Sequence, residues 1–333
     1  MLRFILSVSM AFAVTLPPTT ADADQPEFTL KGATVAPPNT PWSALLKRYK
    51  KSIRKAAKKR IKVKIYLGGT KGDELSIVRQ VQKGGLQGAG VSTGAMSVIV
   101  PELDIVEMPY LFDSFEEADR VLDAVRPIII EIIEAKGFKL VMYSENGYRS
   151  FGSNKPIKSP ADMKAMKMRS QESPVHLNTY RALGASPVSI SVGEVLSSLK
   201  TGVVQGFDNT PLFAQAASWH QAIKHFTVSE HIYQPALLIL NKAWYDKLPP
   251  ELQAAVIPTN HKLEKKGRKA IRALNGPLLE NLKNQKIEVH ELTAAEKDAF
   301  RKATAPVWAK RRADATPLGK KLYDAIMAEK AKK

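Results

Sequence analysis

Cysteine is absent from the 333-residue chain. Without it there is no disulfide framework, no thiolate nucleophile, no cysteine-ligated zinc and no lipid-modified N-terminal cysteine. Long apolar runs are missing too. A helix needs about 20 apolar residues to cross a bilayer, and the longest run after the first segment, Pro127 to Ile133, is interrupted by Glu131. Acidic residues are scarce: 32 Asp and Glu face 50 Lys and Arg, a formal charge of +18. None of the six histidines stands in an H-E-x-x-H or related spacing, and His220 and His225 do not share a helix face. The chain has no G-x-x-x-x-G-K-[ST] loop, and the glycines 85, 88 and 90 miss the dinucleotide fingerprint. No period of 20–50 residues repeats, which excludes a solenoid. Neither a metal nor a cofactor is expected.

What is present is an ordinary globular composition, 44% hydrophobic, with chain enough for two domains of about 150 residues each. It opens like an export signal. Arg3 precedes an apolar stretch from Phe4 to Leu16, and Ala21-Asp22-Ala23 offers small residues in the order a signal peptidase reads. Residues 1–23 are therefore expected to be removed after Ala23, leaving a soluble exported protein. Phe28–Val35, Ile61–Leu67 and Leu86–Val91 read as strands. Between them run a helix opened by Thr40-Pro41, with Trp42, Leu45, Leu46, Tyr49 and Ile53 at helical spacing, and a second helix through Ile77, Val78 and Val81. This order argues for an α/β unit with a largely parallel sheet. After a long helix from about Glu116 to Lys136 the pattern repeats. Phe138–Tyr143, Met166–Arg169 and Val203–Phe207 read as strands, and a helix-rich, lysine-rich tail follows Pro249-Pro250.

Gly90-Val91-Ser92-Thr93-Gly94 fits the nucleophile-elbow pattern G-x-S-x-G, which would make Ser92 the nucleophile of a secreted serine hydrolase. No helix with an apolar stripe is predicted to begin at Thr93, so a strand-end loop is the plainer reading. Residues 47–64 hold 11 Lys and Arg and no acid. Base-stacking aromatics are not interleaved with them, which argues against nucleic acid. A solvated helix face or a polyanion-binding envelope protein remain as readings of this segment. Arg149 and Arg169 lie in the second α/β unit, and the planar fork of arginine suits a carboxylate, to which it gives two parallel charge-assisted hydrogen bonds.

Several motifs in register supply a more specific reading. Val100-Pro101-Glu102-Leu103, Met108-Pro109-Tyr110-Leu111-Phe112, Gly147-Tyr148-Arg149 and Lys167-Met168-Arg169 occur in that order. Leu183-Gly184-Ala185-Ser186-Pro187, Leu199-Lys200-Thr201-Gly202-Val203 and Asn241-Lys242-Ala243-Trp244 follow. Over roughly residues 27–300 the chain resembles the DctP-type substrate-binding proteins of TRAP transporters. The resemblance implies an α/β, two-lobed periplasmic-binding-protein-like fold with crossing strands, a long bracing helix and a helical C-terminal tail. It implies one lobe of residues 24–146 plus about 235–274, and another of 147–234 plus about 275–333. In function it implies a periplasmic, monomeric, non-enzymatic protein that captures a small carboxylate by hinge closure and delivers it to TRAP permease subunits in the membrane.

Residue by residue, Arg169 matches the arginine that pairs with the ligand carboxylate in that family, and Arg149 a second arginine beside the same pocket. Asn209 matches an asparagine of the family's DG.ENP motif, while Thr34 and Ser92-Thr93 match pocket positions of the other lobe. His231 matches a position that approaches ligand in some members. The sequence departs from the pattern at Gln205-Gly206-Phe207-Asp208-Asn209-Thr210, which lacks the first acid and the final proline. It departs again at Val192, where many relatives carry an aromatic ring.

Overall fold

The computed structural model describes residues 25–332; the expected export signal, residues 1–23, lies outside them. Nine strands make up one sheet: β1 (Phe28–Ala33), β2 (Ile61–Tyr66), β3 (Gly88–Ser92), β4 (Phe138–Ser153), β5 (Lys167–Ser170), β6 (Ser186–Ser189), β7 (Gly206–Asn209), β8 (His225–Asn241) and β9 (Glu288–Glu291). Their order is β2-β1-β3-β8-β4-β7-β5-β6, with β9 paired to β8. β2, β1 and β3 are mutually parallel, as are β7, β5 and β6. The two parallel sets are joined through β4 and β8, which run antiparallel from Phe138 opposite Asn241 to Ser153 opposite His225. The end of β8 thus pairs with β3, and the end of β4 pairs with β7. This two-lobed architecture with crossing strands is the one expected.

The first helix, Pro41–Ala56, shows how the sequence builds a lobe. Ser43 N–H donates to Thr40 Oγ1 (3.3 Å) and Thr40 N–H donates back to Ser43 Oγ (3.1 Å), a reciprocal cap with Pro41 in the first turn. Trp42, Leu45, Leu46, Tyr49 and Ile53 face inward, and the last four meet Leu30, Val63 and Leu238 of the sheet. The lysines of the same helix point outward.

Several elements differ from the expectation. The helix expected over 116–136 is two, Phe115–Ala124 and Arg126–Glu134, divided at Val125. Pro127 supplies no N–H to continue the ladder and starts the second helix. β4 continues ten residues past Tyr143, and β8, 17 residues long, was not anticipated at all. Both are buried on both faces and carry polar side chains along the middle, so the alternation that marks a half-exposed strand is lost. A short helix, Thr93–Ser97, does begin at Thr93, capped by Ser92.

The expected long brace is met by two consecutive helices, Lys262–Arg272 and Asn275–Asn284. Arg272 of the first binds Glu145 of β4 (2.9 and 2.7 Å) and Asp119 (2.8 and 2.7 Å). The second receives Gln215 Nε2 at the Leu278 carbonyl (2.8 Å), on the other side of the molecule. The tail forms helices Ala294–Ala313 and Pro317–Ala331. Phe300 packs among Phe151, Met163 and Tyr180, as a tail belonging to the second lobe would. The last helix instead returns to the first: Thr316 bonds Glu102 (2.8 Å), and Lys321 and Lys330 pair with Glu131 and Glu117 (2.6 Å each).

Candidate functional site

The carboxyl ends of β1, β3, β5 and β7 open toward a single cleft between the two strand sets, the usual place for a site in an α/β sheet. Its volume is about 890 Å³, counting the space at its mouth. Thr34 follows β1, Ser92 ends β3, Arg149 lies in β4, Arg169 in β5 and Asn209 ends β7; all five line the cleft. The other two expected residues do not. Thr93 is buried behind the cleft, its hydroxyl donating to Glu107 and to the Pro235 carbonyl (3.0 Å for the latter). His231 stacks on Phe151 with 4.1 Å between ring centres, and its Nδ1 bonds the Ser229 hydroxyl (2.7 Å).

The two arginines, each under 4% exposed, sit in opposite electrostatic settings. Arg149 is fully engaged by the protein. Its Nε donates to Asp208 Oδ2 (2.5 Å), one Nη to the Asp208 carbonyl (2.5 Å) and the other to Gln234 Oε1 (2.7 Å). Burial opposes its charge, but Asp208, with Glu107 and Tyr180 beside it, more than offsets this and holds the guanidinium above its ordinary pKa. Asp208 answers in kind. Burial works to raise its carboxyl, yet Arg149 and the nearby His176 and His231 hold it well below the aspartate range. Tyr180 also donates to Asp208 Oδ1 (2.9 Å).

Arg169 has no such counter-ion. Its one hydrogen bond among the described residues runs from Nε to the Ile190 carbonyl (2.9 Å), and its plane lies over the Trp219 ring, 5.1 Å from the centre. Burial, and then the charge of Arg149, push its guanidinium down to about 10. A buried cation costs free energy unless it is paired. Arg169 lines the cleft and neither Nη group has a carboxylate partner among the described residues, so the site is electrostatically complementary to an anion.

The serine of the G-x-S-x-G pattern is engaged otherwise than as a nucleophile. Ser92 Oγ donates to Glu74 Oε2 (2.8 Å) and accepts from Ala95 N–H (3.1 Å), while Ser92 N–H donates to Glu74 Oε1 (2.7 Å). No histidine ring is among its partners. The second glycine of the pattern has a steric role: a Cβ on Gly94 would stand 2.0 Å from Nε2 of Gln171, a residue just beyond β5. Gly94 thereby lets the two strand sets touch.

Sequence reasoning missed Glu74, Asn146, Gln171 and Gln234, all of which line the cleft. Glu74 had a signal, since Asp73 is an N-cap that bonds Ser76 N–H (2.6 Å) and so places residue 74 at the cleft edge. Asn146 and Gln234 had none, because they lie inside the unanticipated middles of β4 and β8. Asn146 Nδ2 donates to Asn209 Oδ1 (2.9 Å) and Gln234 Oε1 (2.8 Å), tying three strands together beside Arg149.

Comparison with known proteins identifies the family. The family model for bacterial extracellular solute-binding proteins, family 7 (DctP), matches residues 32–314. A solute-binding protein of Verminephrobacter eiseniae is 34% identical over 223 residues, 66% of each chain. A TRAP periplasmic solute-binding protein from Sulfitobacter sp. NAS-14.1, solved with β-D-galacturonate, superposes with a TM-score of 0.85 at 25% identity, covering 90% of this chain and 99% of that one. Another, from Ralstonia eutropha with (S)-2-acetolactate, gives 0.83 at 27% identity over 90% and 99%. The chain belongs to the DctP family of bacterial extracellular solute-binding proteins, family 7, the substrate-binding proteins of TRAP transporters.

Proposed function

We propose that this protein captures a small organic acid in the cleft, with Arg169 as the carboxylate anchor, and hands it to TRAP permease subunits in the membrane. The observation that carries the reading is the buried, uncompensated guanidinium of Arg169. Galacturonate and acetolactate, bound by two similar proteins, share a carboxylate and little else. An incoming carboxylate would supply the missing counter-charge and accept both free Nη groups, an arrangement stronger than a neutral hydrogen bond.

Arg149 acts at one remove. Paired with Asp208, it orients Asn209 and Gln234 and adds positive potential to the cleft. Thr34, Ser92 and Asn209 line the walls, whereas Thr93 and His231 support them from behind. The lobes divide near residues 146 and 234, where the β4–β8 register shifts between Glu145 and Gly147. Closure would flex at that irregular pairing, with Glu145–Arg272 holding one side. The protein works in the periplasm as a monomer, after cleavage near Ala23, and catalyses no reaction; Ser92, held by Glu74, is a wall of the binding site.

A screen of carboxylic acids by thermal shift identifies the ligand class, because a ligand that binds only the native state stabilises it by mass action. Calorimetry on Arg169→Ala then tests the anchor. Removing one partner of a buried pair costs about 3–5 kcal/mol, so affinity should fall by roughly two to four orders of magnitude. Arg169→Lys should fall nearly as far, since an ammonium lacks the fork. Near-wild-type affinity in Arg169→Ala would refute the assignment.

A further inference from the structure

The hydrogen-bonding groups of the cleft are unequally free, and this bears on which acid it takes. Several of its donors are free. Both Nη groups of Arg169, Asn209 Nδ2 and Gln171 Nε2 have no acceptor among the described residues, and Gln171 is buried. Several acceptors are engaged, although Asp73 Oδ2, Ser144 Oγ and Gln171 Oε1, which also line the cleft, have no partner among the described residues. Both Glu74 oxygens hold Ser92, and both Glu145 oxygens hold Arg272, one of them also Tyr233. Gln234 Oε1 takes Asn146 and Arg149, and Asn209 Oδ1 takes Asn146, Arg149 and the Thr210 N–H. Glu172, whose carboxylate has no hydrogen bond among the described residues, is only half-buried.

The remaining wall is apolar. Trp42, Leu45 and Leu46 come from the first helix, Val192 and Phe213 from the second lobe, and Leu237 from β8. Trp42 offers no polar atom, because its Nε1 donates to the Glu145 carbonyl (2.8 Å). Beyond Leu46, Gly90 and Leu238, which line both, a second space of about 350 Å³ has no charged residue in its lining. Its one phenol, Tyr49, donates to the Val256 carbonyl (2.6 Å).

We propose that the cleft selects carboxylates whose polar atoms are acceptors gathered at one end and whose remainder is hydrocarbon, in preference to polyhydroxylated sugar acids. This rests on the reading of Arg169 as carboxylate anchor. Each sugar hydroxyl brings a proton that needs an acceptor, and a buried donor left without one is penalised. Along the walls of Leu45, Leu46 and Val192 such a hydroxyl would lose its water and gain nothing. A branched alkyl or phenyl body would bury apolar surface there instead. The carboxylate meanwhile satisfies Arg169 and the free amide donors.

Calorimetry of the full mature protein with 4-methylpentanoate and phenylacetate, set against D-glucuronate and D-galactonate, tests the selection. At least one hydrocarbon acid should bind ten-fold or more tighter than both sugar acids, and Val192→Asn should narrow that gap. If a sugar acid binds as tightly or tighter and loses affinity in Arg169→Ala, the selection is overturned while the carboxylate anchor stands. If none of the four binds at millimolar concentration, or binding is unchanged in Arg169→Ala, both are overturned.

Discussion

Arg149 and Arg169 are the same residue type at the same depth, yet their partners give them different work. Arg149 and Asp208 neutralise each other inside the protein, so Asp208→Asn should leave a buried cation unmatched. A loss of about 3–5 kcal/mol is expected, read as a lowered midpoint in urea with the slope unchanged. The pair also sets an acid limit. Because the folded-state carboxyl of Asp208 is held below its unfolded value of about 3.9, its contribution is present above that pH and is lost as pH falls through the folded value. Wild-type stability should therefore drop on acidification below about pH 4, and Asp208→Asn should flatten that limb; an equally steep limb in both proteins would contradict the assignment. Arg169 itself was legible in the sequence, at the end of a short strand inside a specific motif. Its lack of a counter-ion was not, because pairing is decided by contacts across the chain, and Asp208, 39 residues on, went to Arg149 instead. Thr93 and His231 were misplaced for the same reason: a motif fixes neighbourhood, while the pleat and the helix start decide which side chain reaches the cleft.

At the scale of elements, the fold depends on a few close approaches. A Cβ on Gly206 would come within 2.6 Å of the Gly152 carbonyl, and one on Gly152 within 2.5 Å of the Phe207 ring. Gly152→Val should force β4 and β7 apart and destabilise the protein by about 1–3 kcal/mol or more, visible as a lower melting temperature. Thr40→Ala removes the reciprocal cap of the first helix and should cost about 1 kcal/mol. That helix and β2 were readable because each has one buried face and ordinary start and stop signals. The middles of β4 and β8 were not readable. Ser144, Glu145 and Asn146 are polar and follow the predicted strand's end at Tyr143, yet in the structure their side chains face the cleft or its bracing ion pairs, and neighbouring strands satisfy their backbones.

Across the whole molecule, the excess of positive charge separates into a selective part and a diffuse one. Lys47, Lys50, Lys51, Arg54 and Lys55 on the outer face of the first helix have no ion pair among the described residues. A field of this kind attracts any anion and distinguishes none. Association of the acid should slow as salt rises from about 0.01 to 0.15 M, where the screening length shrinks to about 8 Å. Dissociation should hardly change, and replacing these five side chains with Gln should reduce the salt dependence of association while leaving the ligand preference intact; stopped-flow fluorescence reads both rates. The most direct test of the central claim is a crystal structure of the protein with its acid bound. The ligand carboxylate should lie within about 3 Å of both Arg169 Nη groups, with Arg149 still on Asp208. A carboxylate held by Arg149, or a ligand seated away from Arg169, would contradict the account.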